Sequence, residues 1–261
     1  MALDRAIAKS VDAGESPSTF RLFRWERPSI TIGYGQHAAE VIDLDLCERD
    51  GVPVSRRPTG GRAVFHDREL AFSVVGFIDD ARFRNSLADT FRFMGFVLNR
   101  ACGSLGLDVS GGNDKPDSTP RLGIGKAPCF LSSSRHEVRW HGKKIAGIAQ
   151  RRYTRVFLQQ GSILTGKGHE RILRYIPRCE NKSILESALV NRAVDLGTAL
   201  GGEVDIELLA RELFASFAQA MGTEIVSGTV TTQELREAER IISEHAVPGK
   251  REVGHEAQHR F

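Results

Sequence analysis

Residues 56–73 read Arg-Arg-Pro-Thr-Gly-Gly-Arg-Ala-Val-Phe-His-Asp-Arg-Glu-Leu-Ala-Phe-Ser. A basic pair and the turn-forming Pro58 lead into Gly60-Gly61, and a β-prone run follows at once. Adjacent glycines let a backbone adopt positive φ and approach a ligand with no Cβ in the way. Successive amide N–H groups in such a turn can converge on one oxygen-rich group, and Arg56 and Arg57 would add positive charge beside it. The plain alternative is a tight hairpin turn with two solvated arginines, since Gly-Gly turns are common.

Outward from that turn, strand signals dominate the first two-thirds of the chain and helix signals the rest. Leu3, Ile7 and Val11 recur every four residues and Gly14 stops the pattern, which predicts an opening helix. Two strands are expected over 18–34, broken by Pro28, then a helix over 37–50 and strands over 52–57, 62–66 and 70–77. A helix is expected over 84–105 with Leu87, Phe91, Met94 and Leu98 on one face. The Gly-, Asp-, Pro- and Ser-rich stretch 110–127 reads as a loop over a site or a mobile segment. Strands return at 135–141, 144–150 and 154–164, with His141-Gly142 as the turn of a hairpin. Helices are expected near 168–175, 204–220 and 231–245, with a frayed tail from Pro248. This order predicts an α+β fold with a mainly antiparallel mixed sheet flanked by helices. Residues 1–190 would form the catalytic domain, and 191–261 a helical part of that domain or a small lobe.

Composition narrows the function. The chain has 261 residues, 41% hydrophobic and 26% charged, as expected of a globular protein. A formal charge of +3 is too small to argue for nucleic acid and suits an acidic protein partner equally well. No apolar run approaches the ~20 residues of a membrane helix, and no signal-peptide core opens the chain, so no membrane is expected and the location is read as cytoplasmic. Cys47, Cys102, Cys129 and Cys179 are widely spaced, without Cys-x-x-Cys or a zinc-like cluster, so neither a disulfide framework nor a metal site is expected. A lone Cys is more often a small buried hydrophobe, which is the reading for Cys102, Cys47 and Cys179.

The second informative stretch is 129–164, in which Lys144-Ile-Ala-Gly-Ile-Ala-Gln150 follows the hairpin turn. Small residues at 146, 147 and 149 leave room for a ligand or backbone close to the sheet. Alone, Lys144 would be a solvated strand-start lysine. Taken together, the two stretches resemble the lipoate/biotin protein ligase and octanoyltransferase superfamily. Its signatures are Arg-Arg-x-Thr/Ser-Gly-Gly and Lys-x-x-Gly-Ser-Ala. The resemblance spans roughly residues 1–190 and implies the same α+β fold. It also implies that Lys144 contacts the carbonyl end of an acyl group, with Lys143 a bystander, and that Ile148 in place of Ser alters a hydrogen bond near that carbonyl. The substrate contacts it implies are Arg57, Thr59, Gly60, Gly61, Arg62, His66, Gly147 and Ala149.

Two chemistries remain within the superfamily. A lipoate ligase activates a free acid and needs ATP and Mg, whereas an octanoyltransferase takes an acyl group already activated as a thioester and needs no cofactor. Arg62, where ligases carry a third glycine, Glu69-Leu70 where they carry Gly-Asn, and Cys129-Phe130 all resemble the LipM type of octanoyltransferase. In that type the Cys is the nucleophile. The resemblance therefore implies Cys129 and Lys144 as the catalytic pair. The donor would be an acyl carrier protein, and the acceptor a lipoyl-domain lysine of a glycine cleavage H protein or a 2-oxoacid dehydrogenase E2. The alternatives are an ATP-dependent lipoate ligase, a biotin ligase and a non-catalytic acyl- or lipoyl-domain-binding relative. His66 beside Asp67 could be a base held by a carboxylate, but a turn role is equally open, while His136 and His141 read as exposed. Two departures stand out. Ser-Ser-Ser-Arg-His-Glu at 132–137 replaces an expected Ser-Trp-Tyr-Glu, and Met1-Ala-Leu-Asp lacks the Asn that precedes it in the family, as either a late start or a truncated chain would.

Overall fold

A computed structural model describes residues 1–83, 86–111, 138–177 and 182–245. The chain enters through α1 (Ala2–Ala13), with Leu3, Ile7 and Val11 buried and Gly14 capping in the left-handed region at φ 79°. β1 (Thr19–Phe23) and β2 (Ser29–Ile32) follow on either side of Pro28, as expected. The single helix expected over 37–50 is instead two, α2 (Ala38–Val41) and α3 (Leu44–Arg49). Asp43 parts them, because its side chain accepts from Leu46 N and so starts a new helix, while its own N–H leaves for Tyr175 O.

β3 (Val54–Arg56), β4 (Val64–His66) and β5 (Glu69–Phe77) flank the glycine turn. A short 3-10 turn (Ala81–Phe83) precedes α4 (Leu87–Ser104), which Ser86 caps by accepting from Asp89 N. Met94 and Leu98 are buried on the expected face with Val97 and Ala101, but Leu87 is 50% exposed, so the apolar face begins one turn later. β6 (Ser110–Gly111) is the only part of the expected 110–127 loop within the described residues. β7 (Val138–Trp140), β8 (Lys143–Lys144), β9 (Ala146–Arg152) and β10 (Val156–Leu164) complete the strands. His141 and Gly142 both take positive φ, 47° and 76°, as a two-residue turn matched to strand twist requires.

The helical region is fuller than its pattern suggested. A 3-10 segment (His169–Arg174) stands where a helix was expected, and α7 (Ile206–Met221) and α8 (Thr232–His245) fall where they were read. α5 (Lys182–Arg192) and α6 (Leu196–Leu200) were not anticipated. α5 buries only Leu185 and Leu189 while exposing Ile184 and Val190, so its apolar period is weak. α6 is a single turn between the Asp195 cap and Gly201.

The strands form three sheets. The largest, ordered β1-β5-β10-β9, is antiparallel throughout. The second, β3-β2-β4, is mixed, with β2 parallel to β3 and antiparallel to β4. The third, β6-β7-β8, is antiparallel. The α+β expectation of a mainly antiparallel, mixed arrangement therefore stands. Alternation along β10 assigns the two faces of the main sheet. Phe157 and Ile163 join the core under α4 and α7, whereas Val156 and Leu158 join the core under α1 and α8. Ile148 of β9 packs on the α4–α7 side, so Gly147, Ala149 and Arg151 face the other way.

Candidate active site

The turn at 57–62 is held by its carbonyls. Thr59 O accepts from Tyr34 N at 3.0 Å. Gly60 O takes two donors from Arg57, Nε at 3.1 Å and Nη2 at 2.9 Å, and Nη2 also reaches Arg62 O at 2.7 Å. Gly61 O lies hard against Gly33, where an added Cβ would sit 2.0 Å from it. In a trans peptide the N–H is antiparallel to the preceding carbonyl. The carbonyls of Thr59, Gly60 and Arg62 are hydrogen-bonded and that of Gly61 abuts Gly33, so the N–H groups of Gly60, Gly61 and Arg62 point away from those partners. Among the described residues these three amides meet no acceptor. Gly61 has φ 93°, open to glycine at little cost. Three successive donors without an acceptor among the described residues suit an oxyanion or carboxylate.

The two arginines serve the turn differently from the sequence expectation. Arg56 Nη1 donates to the carbonyls of Gly33, Tyr34 and Gln36, and Arg57 is 6% exposed with donors committed to the turn and to Thr31. Both guanidiniums hold backbone in place rather than standing as open charge beside the glycines. Arg62 is half-buried.

Two polar connections bring the turn onto the main sheet. Thr59, fully buried, donates Oγ1 to Gln160 Oε1 at 2.9 Å, and Gln160 is in register with Ala149. Arg151 Nη1 donates to Pro58 O at 3.2 Å, with its guanidinium 4.2 Å above the exposed ring of Tyr34. Gly147, Ala149 and Arg151 thus lie on the face that carries the glycine turn. Ala146 instead points into the core, at 1% exposure, so only two of the three small residues bear on this face. Ile148 also packs in that core, on the far side of the strand from Gly147 and Ala149.

Lys144 sits at the end of β8, buried at 5% exposure, with Ile145 between it and β9. Its backbone is fixed on both sides, by pairing with Arg139 and by Val194 N donating to its carbonyl. Lys143 instead donates Nζ to Val190 O at 3.1 Å from a half-buried position. Cys129, Cys179, His136 and the 132–137 segment lie outside the described residues. Cys47 and Cys102 are buried, as read, and burial pushes the Cys102 thiol up to about 12, which makes it inert at neutral pH.

His66 is buried and fully engaged. Its Nδ1 meets Glu69 Oε1 at 2.6 Å, its Nε2 meets Thr31 Oγ1 at 2.7 Å, and Trp25 stacks on its ring at 4.4 Å. The carboxylate that orients it is Glu69, not the adjacent Asp67, which pairs with Arg171. Among the described residues no group of three or more His, Cys, Asp or Glu is placed to hold a metal ion.

Several residues here escaped the sequence reading. Gly33 carried no signal beyond an isolated glycine after a strand. Asp4, 0% exposed, accepts from Arg21 at 2.6 Å, Ser73 at 2.7 Å and Gln160 at 2.5 Å, and so anchors α1 behind the turn. Burial alone would raise its pKa, but the Arg21 guanidinium and the Ser73 hydroxyl hold it below the usual range. The Met-Ala-Leu-Asp opening was the available signal for Asp4, and for Gln160 the signal was its place in the 129–164 stretch.

Residues 1–218 match the family described as the lipoyl protein ligase A/B catalytic domain. The chain is 34% identical over 249 residues to octanoyltransferase LipM of Kyrpidia tusciae, covering 94% of this chain and 90% of that protein. It is 35% identical to octanoyltransferase LipM of Symbiobacterium thermophilum, covering 93% of this chain and 89% of the relative. Among solved structures, a lipoate-protein ligase A bound with ATP superposes with TM-score 0.73 at 25% identity, over 92% of this chain and 87% of the other. A bipartite lipoate protein ligase from Thermoplasma acidophilum shares the fold at TM-score 0.73 and 24% identity, over 92% and 85%. With its glycine turn and Lys144 strand on this scaffold and its kinship to octanoyltransferases, the chain is an acyltransferase that belongs to the lipoyl protein ligase A/B catalytic domain family.

Proposed function

We propose that the protein moves an octanoyl group from the thioester of an acyl carrier protein, through Cys129, to the lysine of a lipoyl domain. The observation that carries this reading is the run of amides at Gly60, Gly61 and Arg62 that meet no acceptor among the described residues, joined to the Ala149 strand through Thr59 and Gln160. Such donors stabilise the oxyanion that forms when a carbonyl is attacked, and one is typically worth ~3–4 kcal/mol.

In the first half-reaction the Cys129 thiolate attacks the thioester carbonyl. The negative oxygen is received by the turn amides and the Lys144 ammonium. Collapse breaks the carbon–sulfur bond to the carrier, whose thiolate takes up a proton and leaves. In the second, a neutral lysine ε-amine of the acceptor attacks the Cys129 thioester, the Cys129 thiolate departs and the nitrogen sheds its proton to leave an amide. Thioester exchange is nearly isoenergetic and amide formation runs downhill, so ATP and Mg are not required. Arg57, Thr59 and Gln160 shape the turn, and Gly147 and Ala149 leave space for the acyl end. His66 acts as a framework residue. The C-terminal helices α7 and α8 pack on α4 and α1, on opposite faces of the main sheet, and complete its cover.

Intact-mass analysis after incubation with octanoyl-carrier protein, without ATP, tests the scheme. A gain of one octanoyl group that Cys129→Ser abolishes supports it. Transfer to a lipoyl domain that appears only with ATP and free lipoate, and survives Cys129→Ser, would establish a ligase instead.

A further inference from the structure

A second buried polar chain runs behind the turn, and the proposed mechanism gives no role to Glu69, Ser162 or Thr31 within it. It begins on β10, where Ser162, in register with Gly147, donates Oγ to Glu69 Oε2 at 2.5 Å. The other oxygen of Glu69 meets His66 Nδ1, and His66 Nε2 meets Thr31 Oγ1. Thr31 Oγ1 in turn accepts from Arg57 Nη1 at 3.1 Å, and Arg57 holds Gly60 O and Arg62 O. Glu69, His66, Thr31 and Arg57 are all buried, at 3%, 6%, 0% and 6% exposure. The chain thus connects the strand pair of the Lys-x-x-Gly motif to the carbonyls that orient the glycine turn.

With a neutral imidazole at His66, the hydrogens run in one direction. A carboxylate at Glu69 can only accept, so it places the imidazole hydrogen on Nδ1. Nε2 is then an acceptor and takes the Thr31 hydroxyl hydrogen, which leaves the lone pairs of Thr31 for Arg57. Without Glu69 the imidazole is free to carry its hydrogen on Nε2, and Nδ1 loses its partner in a buried site.

We propose that Glu69 is a positioning residue for the anion-binding turn, acting through His66 and Thr31 on Arg57 so that the Gly60 and Gly61 amides keep their outward aim. The inference rests on the reading that the turn receives the acyl oxyanion. Glu69→Leu breaks the chain at its carboxylate. Glu69→Gln preserves it, since the amide oxygen can accept from His66 while the amide nitrogen donates to Ser162. Thr31→Val removes only the hydroxyl between His66 and Arg57, and carries the test if Glu69→Leu does not fold.

The measurements are kcat and KM for octanoyl-enzyme formation and, independently, the amide resonances of Gly60 and Gly61 in protein labelled with 15N-glycine. A displacement near 1 Å at a reacting centre costs about 100-fold. The expectation is a kcat lower by about 10- to 100-fold in Glu69→Leu and Thr31→Val, with KM within about threefold, and near-wild-type kcat in Glu69→Gln. The Gly60 and Gly61 resonances should move in the first two variants and stay in the third. Folded Glu69→Leu or Thr31→Val protein with unmoved glycine resonances and unchanged kcat would overturn the proposal and leave the transferase reading intact. Wild-type protein that forms no octanoyl-enzyme, while the resonances respond as described, would sink the transferase reading and leave the positioning role standing.

Discussion

Replacing Gly33 with alanine tests how the glycine turn is placed. A Cβ on Gly33 would stand 2.0 Å from Gly61 O, 2.9 Å from Gly61 C and 3.3 Å from Gly60 C. Ordinary contact begins near 3.4 Å, and the atoms in the way are backbone, so no side chain can swing aside. The turn must retreat by roughly 1 Å or more, against the grip of Arg57 on Gly60 O and of Tyr34 N on Thr59 O. A misplacement of that size at the reacting carbonyl costs about 100-fold, equivalent to about 2.7 kcal/mol of transition-state stabilisation. Gly35→Ala is the matched control, because a Cβ there meets nothing within 4 Å. The assay is the rate of octanoyl transfer to a lipoyl domain, with a thermal melt for each variant. Gly33→Ala should lose about 100-fold in kcat, whereas Gly35→Ala should stay within about threefold. A folded Gly33→Ala protein with wild-type kcat would refute the claim that this contact sets the turn.

Two further outcomes follow from the same packing. Asp4→Asn leaves the Arg21 guanidinium without its buried anion and should cost about 3–5 kcal/mol at neutral pH, read from urea midpoints. Because the folded pKa of Asp4 is depressed, its contribution is present above its unfolded value near 3.9 and fades as pH falls through the lower folded one. The gap between wild type and Asp4→Asn should therefore narrow below about pH 4, and a constant gap would contradict the assignment. Gly161→Ala places a Cβ 2.2 Å from Phe72 Cζ and 2.7 Å from Gly147 O, so β9 must shift against β10. A loss of about 1–3 kcal/mol in stability is expected, with transfer slowed as Gly147 moves, and an unchanged melt would show that Phe72 yields freely.

Much of the scaffold was legible because its signals are local. The four-residue spacing of Leu3, Ile7 and Val11, the break at Pro28 and the turn at His141-Gly142 each specify a conformation from a few neighbouring residues. α5 and α6 were not legible, since one buries too few apolar residues to show a period and the other is a single turn. The chemical identity of the turn and of Lys144 was equally readable, since glycine pairs and motif spacing are properties of the chain itself.

What the turn does with those residues was decided only by tertiary structure. Arg56 and Arg57 look like open charge in sequence, yet folding brings them against the carbonyls of Gly33, Tyr34, Gln36, Gly60 and Arg62, where buried acceptors need donors. His66 is followed by an acidic neighbour in sequence, but the strand direction turns it toward Glu69 and Thr31 instead. Gly33 and Asp4 matter because of residues 28 and 156 positions away, Gly61 and Gln160. Sequence alone determined which residues the turn and the Lys144 strand carry. Their orientation depends on hydrogen-bond partners from distant strands, and only the packed sheets bring those together.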